Sequence, residues 1–364
     1  MMSTHQQKIK KLLTEEACDA LLVINSEESG QPTTQYLSGF SGSSSVLLMS
    51  SKKNFLTTDS RYDGRAQKEA AGFTVIIFKS GDTLSGILKT LVRKLNIQKV
   101  LIDGSETFYS SVENIKTGIP EIEVISKKGI FQKLRIVKDS REIALIRKAA
   151  EIAVKGFLRL IPEIKIGSSE KYLAARLEVL CREEGADSMS FDTIIASGKN
   201  TALPHSSPSD KKLQTGDLVL IDWGVKYKGY CSDLTRTLAM GKISPRLKTI
   251  YETVLKSQEL ACSKARAGIT GEKLDAICRV FLTKRGFGKY FIHATGHGIG
   301  LEVHELPIIS QKQADPLPVG AVVTCEPGIY IPNIGGVRIE DDLVLTKKGV
   351  INLSASLSKK LLIL

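Results

Sequence analysis

Asp217-Leu-Val-Leu-Ile-Asp222-Trp-Gly-Val-Lys-Tyr-Lys-Gly-Tyr-Cys-Ser-Asp233 reads as two apolar strands joined by a polar turn around Tyr227–Lys228. Asp222 and Asp233 are equally far from that turn. In a regular hairpin they face each other with Cβ atoms about 5 Å apart. Two carboxylates that close, flanked by apolar residues, repel one another unless one is protonated or a cation lies between them.

The arrangement recurs in Glu326-Pro-Gly-Ile-Tyr330-Ile-Pro-Asn-Ile-Gly-Gly-Val-Arg338-Ile-Glu340. Its turn falls at Pro332–Gly336, and Glu326 and Glu340 are equidistant from Asn333. Arg338 shares the strand face of Glu340, and Tyr330 that of Glu326, because side chains alternate with period two. Two such pairs call for more positive charge than one basic side chain supplies, so divalent cations are expected. Oxygen ligands suit hard ions such as Mn2+ or Mg2+, and an added imidazole extends the set to Co2+, Fe2+ and Zn2+.

Of the five histidines, three cluster in His293-Ala-Thr-Gly-His297-Gly-Ile-Gly-Leu-Glu-Val-His304. The glycines beside His297 allow close backbone approach, so this ring is the imidazole candidate. A phosphate-loop reading of the same glycines has no strand–loop–helix context to support it.

Outward from these motifs the chain divides in two. Ala20–Asn25, Ser45–Met49, Phe73–Phe78, Val100–Asp103 and Ile122–Ile125 read as strands, and Ile9–Ala17, Arg61–Ala71 and Leu84–Leu95 as helices. This alternation predicts an α/β domain over residues 1–132 with a mainly parallel or mixed sheet. A boundary falls near 127–139, where Asp139-Ser-Arg-Glu142 forms a capping box before an apolar helix. The second domain, 139–364, reads as α+β, with further helices at Lys171–Glu184, Pro245–Ala267 and Glu272–Lys284. Its antiparallel strand pairs are Leu218–Trp223 with Ser232–Ala239 and Val322–Tyr330 with Val337–Leu345.

Composition narrows the class. At 364 residues the chain has room for two domains, and 42% apolar and 25% charged residues are ordinary for a globular protein. Apolar runs long enough to span a bilayer are absent, and the first ten residues lack a secretory core segment, so a cytoplasmic protein is expected. The six cysteines form no C-x-x-C pair and read as free thiols. The net charge of +12 is spread along the chain without a basic helix or aromatic-interleaved stripe. It reads as a solvated surface, with no nucleic-acid or membrane partner.

Together these motifs resemble the "pita-bread" metallopeptidases, the family of aminopeptidase P, prolidase and methionine aminopeptidase, from about Asp139 onward. The resemblance implies a dinuclear centre whose ligands are Asp222, Asp233, His297, Glu326 and Glu340, with Asp233 bridging two ions, Mn2+ being the first choice. It also implies substrate-facing roles for His205 in Leu-Pro-His and His304 in Val-His-Glu. Glu326 would shuttle a proton, Arg338 would steady the site, and His293 and Tyr330 would meet the substrate. Tyr36-Leu-Ser-Gly-Phe-Ser-Gly-Ser and Leu56-Thr-Thr-Asp-Ser-Arg-Tyr62 look like the creatinase-like N-terminal domain of the proline-specific members.

The implied fold is an α/β creatinase-like domain followed by an α+β pita-bread catalytic domain. The implied activity is that of an Xaa-Pro aminopeptidase acting on peptides with proline second. A prolidase restricted to Xaa-Pro dipeptides is the alternative, and a non-catalytic binding module the more distant one. A homodimer is the family expectation.

Overall fold

The computed structural model describes residues 4–27 and 32–364. The first three residues of the segment read above as lacking a secretory core lie outside these. Contacts divide the chain into two units, 1–134 and 135–364.

The first unit is built on six strands, β1 (Ala20–Asn25), β2 (Ser45–Ser50), β3 (Asn54–Thr58), β4 (Thr74–Ile77), β5 (Lys99–Asp103) and β6 (Glu123–Lys127). They form one mixed sheet in the order β4-β3-β2-β1-β5-β6. Its helices are α1 (Thr4–Glu15), α2 (Pro32–Ser38), α3 (Asp63–Glu69), α4 (Leu84–Leu95), α5 (Tyr109–Gly118) and α6 (Ile130–Arg135). β1 runs antiparallel to β2 and parallel to β5. Its residues Ala20–Val23 are all buried, the signature of a strand covered on both faces. Leu88, Leu91 and Val92 of α4 pack on Leu22, Leu48, Phe55 and Val100. Asp103, fully buried at the end of β5, accepts hydrogen bonds from the backbone N–H groups of Ser105, Gly129 and Phe131, which fixes the start of α6. The sequence reading did not name β3, α2, α5 or α6.

In the second unit α7 (Ser140–Leu160) starts as its sequence predicts. The Asp139 carboxylate accepts from the N–H groups of Arg141 and Glu142, and the Glu142 carboxylate accepts from the N–H of Asp139. Three further helices follow, α8 (Glu170–Glu183), α9 (Pro245–Lys264) and α10 (Gly271–Lys284). The strands are β7 (Ser188–Met189), β8 (Ile194–Ser197), β9 (Leu218–Trp223), β10 (Val225–Tyr227), β11 (Tyr230–Cys231), β12 (Leu234–Ala239), β13 (Gly296–Gly298), β14 (Glu305–Ile309), β15 (Val322–Cys325), β16 (Gly328–Ile331), β17 (Gly335–Arg338), β18 (Asp341–Leu345) and β19 (Val350–Asn352). Among the described residues no helix is long and apolar enough to cross a membrane.

Strict alternation aims the functional residues. Val219, Ile221 and Trp223 of β9 enter a core with α7 and α8, where Trp223 stacks on Phe157 with ring centroids 4.6 Å apart. The Trp223 indole N–H also donates to the Ala153 carbonyl at 3.0 Å. Val323 and Cys325 of β15, with Leu343 and Leu345 of β18, enter a second core with α9 and α10. Burial of these odd-numbered residues turns the even-numbered ones to the opposite face.

Candidate metal centre

The first hairpin turns one residue later than its sequence suggests. Tyr227 pairs with Tyr230, so the turn is Lys228-Gly229, both at positive φ (50° and 85°), the conformation a tight two-residue hairpin turn needs. The register shifts accordingly. Asp222 faces Thr235, not Asp233. Asp233 lies opposite Gly224, whose place only glycine can take, since a Cβ there would come within 1.9 Å of the Ser232 carbonyl. Because the shift moves the pairing by two residues, Asp222 and Asp233 remain on one face as diagonal neighbours.

The second hairpin has the expected register. Gly328 pairs with Arg338 and Cys325 with Asp341, which leaves Glu326 opposite Glu340. The hairpins then meet through a bridge between Thr235 and Glu340, closed by the Glu340 N–H donating to the Thr235 carbonyl at 3.1 Å. Beyond Glu326 the row continues to Thr295, whose carbonyl accepts the Glu326 N–H at 2.9 Å, and His297 follows two residues on. Asp222, Thr235, Glu340, Glu326 and the His297 strand thus form one rank across the sheet.

Side-chain contacts follow this lattice. The His297 Nε2 lies 3.2 Å from Glu326 Oε1 and 3.6 Å from Asp233 Oδ2. Ligand atoms of Asp233, His297 and Glu340 all lie within 4.8 Å of one another. Arg338 donates to Asp222 Oδ2 at 2.5 Å, to the Tyr330 hydroxyl at 2.7 Å and to Thr235 Oγ1 at 3.0 Å. Thr235 Oγ1 in turn donates to Glu340 Oε2 at 2.6 Å. Asp222 Oδ1 and Glu340 Oε1 are buried and have no hydrogen-bond partner. Such orphaned carboxylate oxygens are costly unless something positive meets them.

Electrostatics point the same way. Burial, then the charges of Glu340 and Asp222, pushes the Asp233 carboxyl well above its ordinary range. Burial, then Glu326 and Asp222, does the same to Glu340. Burial also raises Asp222, despite Arg338. Burial works to raise Glu326, but the hydrogen bond from His297 and the charges of His297, His293 and Arg338 outweigh it and hold the carboxyl at about 2. Four carboxylates face one guanidinium, itself shared, and one imidazole. Hard divalent cations fit this donor set of oxygens with a single ring nitrogen.

These residues floor a cavity of about 440 Å³ whose walls include His205, His293, His304, Phe191 and Pro204. His293 is held by Nε2 against the Tyr330 hydroxyl at 2.9 Å and by Nδ1 against the Ala294 carbonyl at 2.7 Å. Burial lowers the pKa of both His293 and His304, so their rings are neutral at neutral pH. Tyr330, expected to meet substrate, is only 3% exposed and stands behind the wall, linking His293 to Arg338.

Three participants escaped the sequence reading. Thr235 bridges Arg338 and Glu340. Asp342, two residues beyond Glu340, accepts the Asp233 N–H at 3.1 Å, and burial raises its carboxyl to about 8. On the reverse of the sheet Asp341 is saturated by Arg236, Gln258, Asn352, Ser354 and Lys359. Period two from Asp233 and Glu340 would have placed Thr235 and Asp342, but nothing local announces the Arg236–Asp341 pair, whose members lie far apart in the chain. Arg236→Met should cost ~3–5 kcal/mol in urea unfolding, because it strands a buried Asp341; a loss under ~1 kcal/mol would show the pair to be dispensable.

Residues 144–347 match the metallopeptidase family M24, and residues 6–137 match the creatinase/prolidase N-terminal domain. An Xaa-Pro dipeptidase of Pyrococcus furiosus is 39% identical over 352 residues, 96% of this chain and 97% of that protein. The crystal structure of an X-Pro aminopeptidase from Thermotoga maritima superposes with a TM-score of 0.93 at 39% identity, over 98% of this chain and 100% of that one. An Xaa-Pro dipeptidase structure from Bacillus anthracis gives 0.93 at 40% identity, over 99% of both chains. The two folds expected from the resemblance, creatinase-like and then pita-bread, are therefore present, and the chain belongs to the metallopeptidase family M24.

Proposed function

We propose that this chain hydrolyses the bond between an N-terminal residue and proline, with the Xaa-Pro dipeptide as substrate. The observation that carries the reading is a buried carboxylate–imidazole cluster flooring a histidine-walled cavity, in a chain similar over nearly its full length to Xaa-Pro dipeptidases.

In this reading Asp222, Asp233, His297, Glu326 and Glu340 hold two divalent ions, Mn2+ first, with Co2+, Zn2+ and Fe2+ as alternatives. Such ions, when bound, supply Lewis acidity and lower the pKa of water toward neutrality. Glu326, ionised and in contact with His297, takes the proton from the attacking water. His304 and His205, on the cavity wall, donate hydrogen bonds to the substrate carbonyl as its charge develops. His293 presents its ring to proline, and Tyr330 and Arg338 orient His293 and Asp222. An Xaa-Pro bond has no N–H, so strand-like hydrogen bonding cannot grip it; a clamp on the carbonyl with an apolar seat for the ring can.

A second reading, an Xaa-Pro aminopeptidase on longer peptides, is favoured by one feature. Arg338 is the only Lys or Arg among the described residues lining the cavity, and Asp222 and Tyr330 occupy it. A dipeptide's free carboxylate therefore finds no unengaged cation there. The test is hydrolysis of Ala-Pro and Ala-Pro-Ala by metal-stripped enzyme with Mn2+ restored. A strong preference for Ala-Pro supports the dipeptidase. Preference for Ala-Pro-Ala, cut after its first alanine, replaces it with the second reading, and hydrolysis of neither with any divalent ion removes both.

A further inference from the structure

His304 lines the cavity with its ring centroid 4.3 Å from that of His297, yet its ring makes no hydrogen bond among the described residues. Beyond this edge-on packing on His297, its placement falls to the backbone that carries it. The next residue, Glu305, points away from the cavity into a buried cluster of charges. Its side chain is 1% exposed and accepts from Arg135 Nε at 3.0 Å, Lys138 Nζ at 3.1 Å and the Glu302 N–H at 3.2 Å. Arg135 also pairs with the Glu302 carboxylate. Among the described residues Arg135 and Lys138 here meet Glu302 and Glu305, and none of the four lines the cavity.

The loop before His304 is wrapped on this cluster. A Cβ at Gly300 would come 2.5 Å from Glu305 Oε2 and 3.0 Å from Lys138 Cε, so any larger residue would have to push the Glu305 carboxylate against its cation partners. The Cys231 N–H donates to the Gly300 carbonyl at 2.7 Å, tying the loop to the hairpin of Asp233. The Lys138 N–H donates to the Gly320 carbonyl at 3.0 Å, just ahead of β15. Both ends of the clamp are therefore anchored to strands that lead to metal-centre residues.

We propose that Arg135 and Lys138, acting through Glu305, are positioning residues that set how far His304 reaches into the cavity. The proposal rests on the reading above only in that His304 meets the substrate. The cluster lies outside the cavity, so its effect on the reaction is transmitted through the His304 backbone.

The test uses full-length, metal-loaded enzyme with Ala-Pro or Ala-Pro-Ala, whichever is cleaved. Lys138→Met should lower kcat by ~10–100-fold with KM little changed, the scale of an ångström-level misplacement, and Lys138→Arg should recover most of it. Lys138→Met added to His304→Ala should cost no more than His304→Ala alone; additive losses overturn the proposal.

A second measurement needs no activity. In metal-free protein, the ring NMR signals of His304 should shift or broaden in Lys138→Met while those of His293 stay in place. Unmoved His304 signals overturn the proposal whatever the kinetics. Moved signals with full activity in His304→Ala would uphold the positioning and remove the catalytic role of His304. Should Lys138→Met not fold, Glu302→Gln, at the 39%-exposed end of the cluster, gives the same comparison in milder form.

Discussion

Asp233→Asn should unfold at a higher temperature than wild type when both are stripped of metal, and should hydrolyse its Xaa-Pro substrate more than about a hundredfold more slowly when both are supplied with it. The first half follows from the cost of the carboxylate. Asp233 is buried beside Glu340, Asp222 and Glu326, and both burial and their charges oppose its ionisation. An unfolded chain ionises it freely, so folding at neutral pH must either protonate it or bear the repulsion. Asparagine has neither problem, and its amide can donate to the orphaned Glu340 Oε1. The gain is larger at pH 8 than at pH 5, because the cost of keeping a raised carboxyl folded grows as pH climbs above its unfolded value. The second half follows from the proposed role of Asp233 as a ligand, since ions held there would contribute several kcal/mol to the barrier. Calorimetry with and without Mn2+ checks the first half and steady-state rates the second. A stripped variant less stable than stripped wild type would mean that Asp233 is a structural acid, and would remove the argument for a cation at this position.

The contrast between Asp233 and Asp341 shows what the sequence could reveal. Asp341 is as buried as Asp233, but Arg236 and Lys359 hold its carboxyl at about 2. Nothing in a window of residues distinguishes the two, because the partners of Asp341 come from β12, α9 and the C-terminal segment. What the sequence does carry is parity. The first turn is misplaced by one residue, and Asp222 faces Thr235 instead of Asp233. Yet moving a two-residue turn by one position shifts the pairing by two, so here it carries a residue along its face and not through the sheet. The second hairpin needs no such tolerance, since Asn333 at φ 63° sits where the symmetry of Glu326 and Glu340 places it. The joint between the hairpins at Thr235 and Glu340 is a pairing across more than a hundred residues, beyond the reach of periodicity. In the first unit, α2, α5 and α6 were missed for a related reason. They are short, and three of the five residues α2 buries are Thr or Ser while α5 buries only Ile115, so none carries an apolar stripe long enough to show as periodic.

The pH dependence of the metal-free protein carries the other large effect, and its sign can be worked out. Asp342, with a carboxyl raised to about 8, and Asp233, Glu340 and Asp222, raised as well, bind protons more tightly folded than unfolded. Between the unfolded value near 4 and the folded value, the native state holds more protons, so stability falls as pH rises, at up to ~1.4 kcal/mol per unit for each group. Glu326 and Asp341, held at about 2, act in the opposite sense. Their contribution is present above about pH 4 and is lost as pH falls toward 2. Stripped protein should therefore be most stable near pH 4–5 and weaken steadily to pH 8. Divalent ions reverse the trend, because ligands must lose their protons to bind and a free ion competes poorly below the raised pKa values. At a hundredfold excess over its dissociation constant at pH 8, Mn2+ should raise the midpoint by about 5–10 °C. The same concentration at pH 5 should raise it little. Thermal unfolding at both pH values, with and without Mn2+, decides the matter. Stability of the stripped protein that climbs from pH 5 to pH 8, or an equal ion effect at both, would mean that these carboxylates are satisfied within the fold and have no need of a cation.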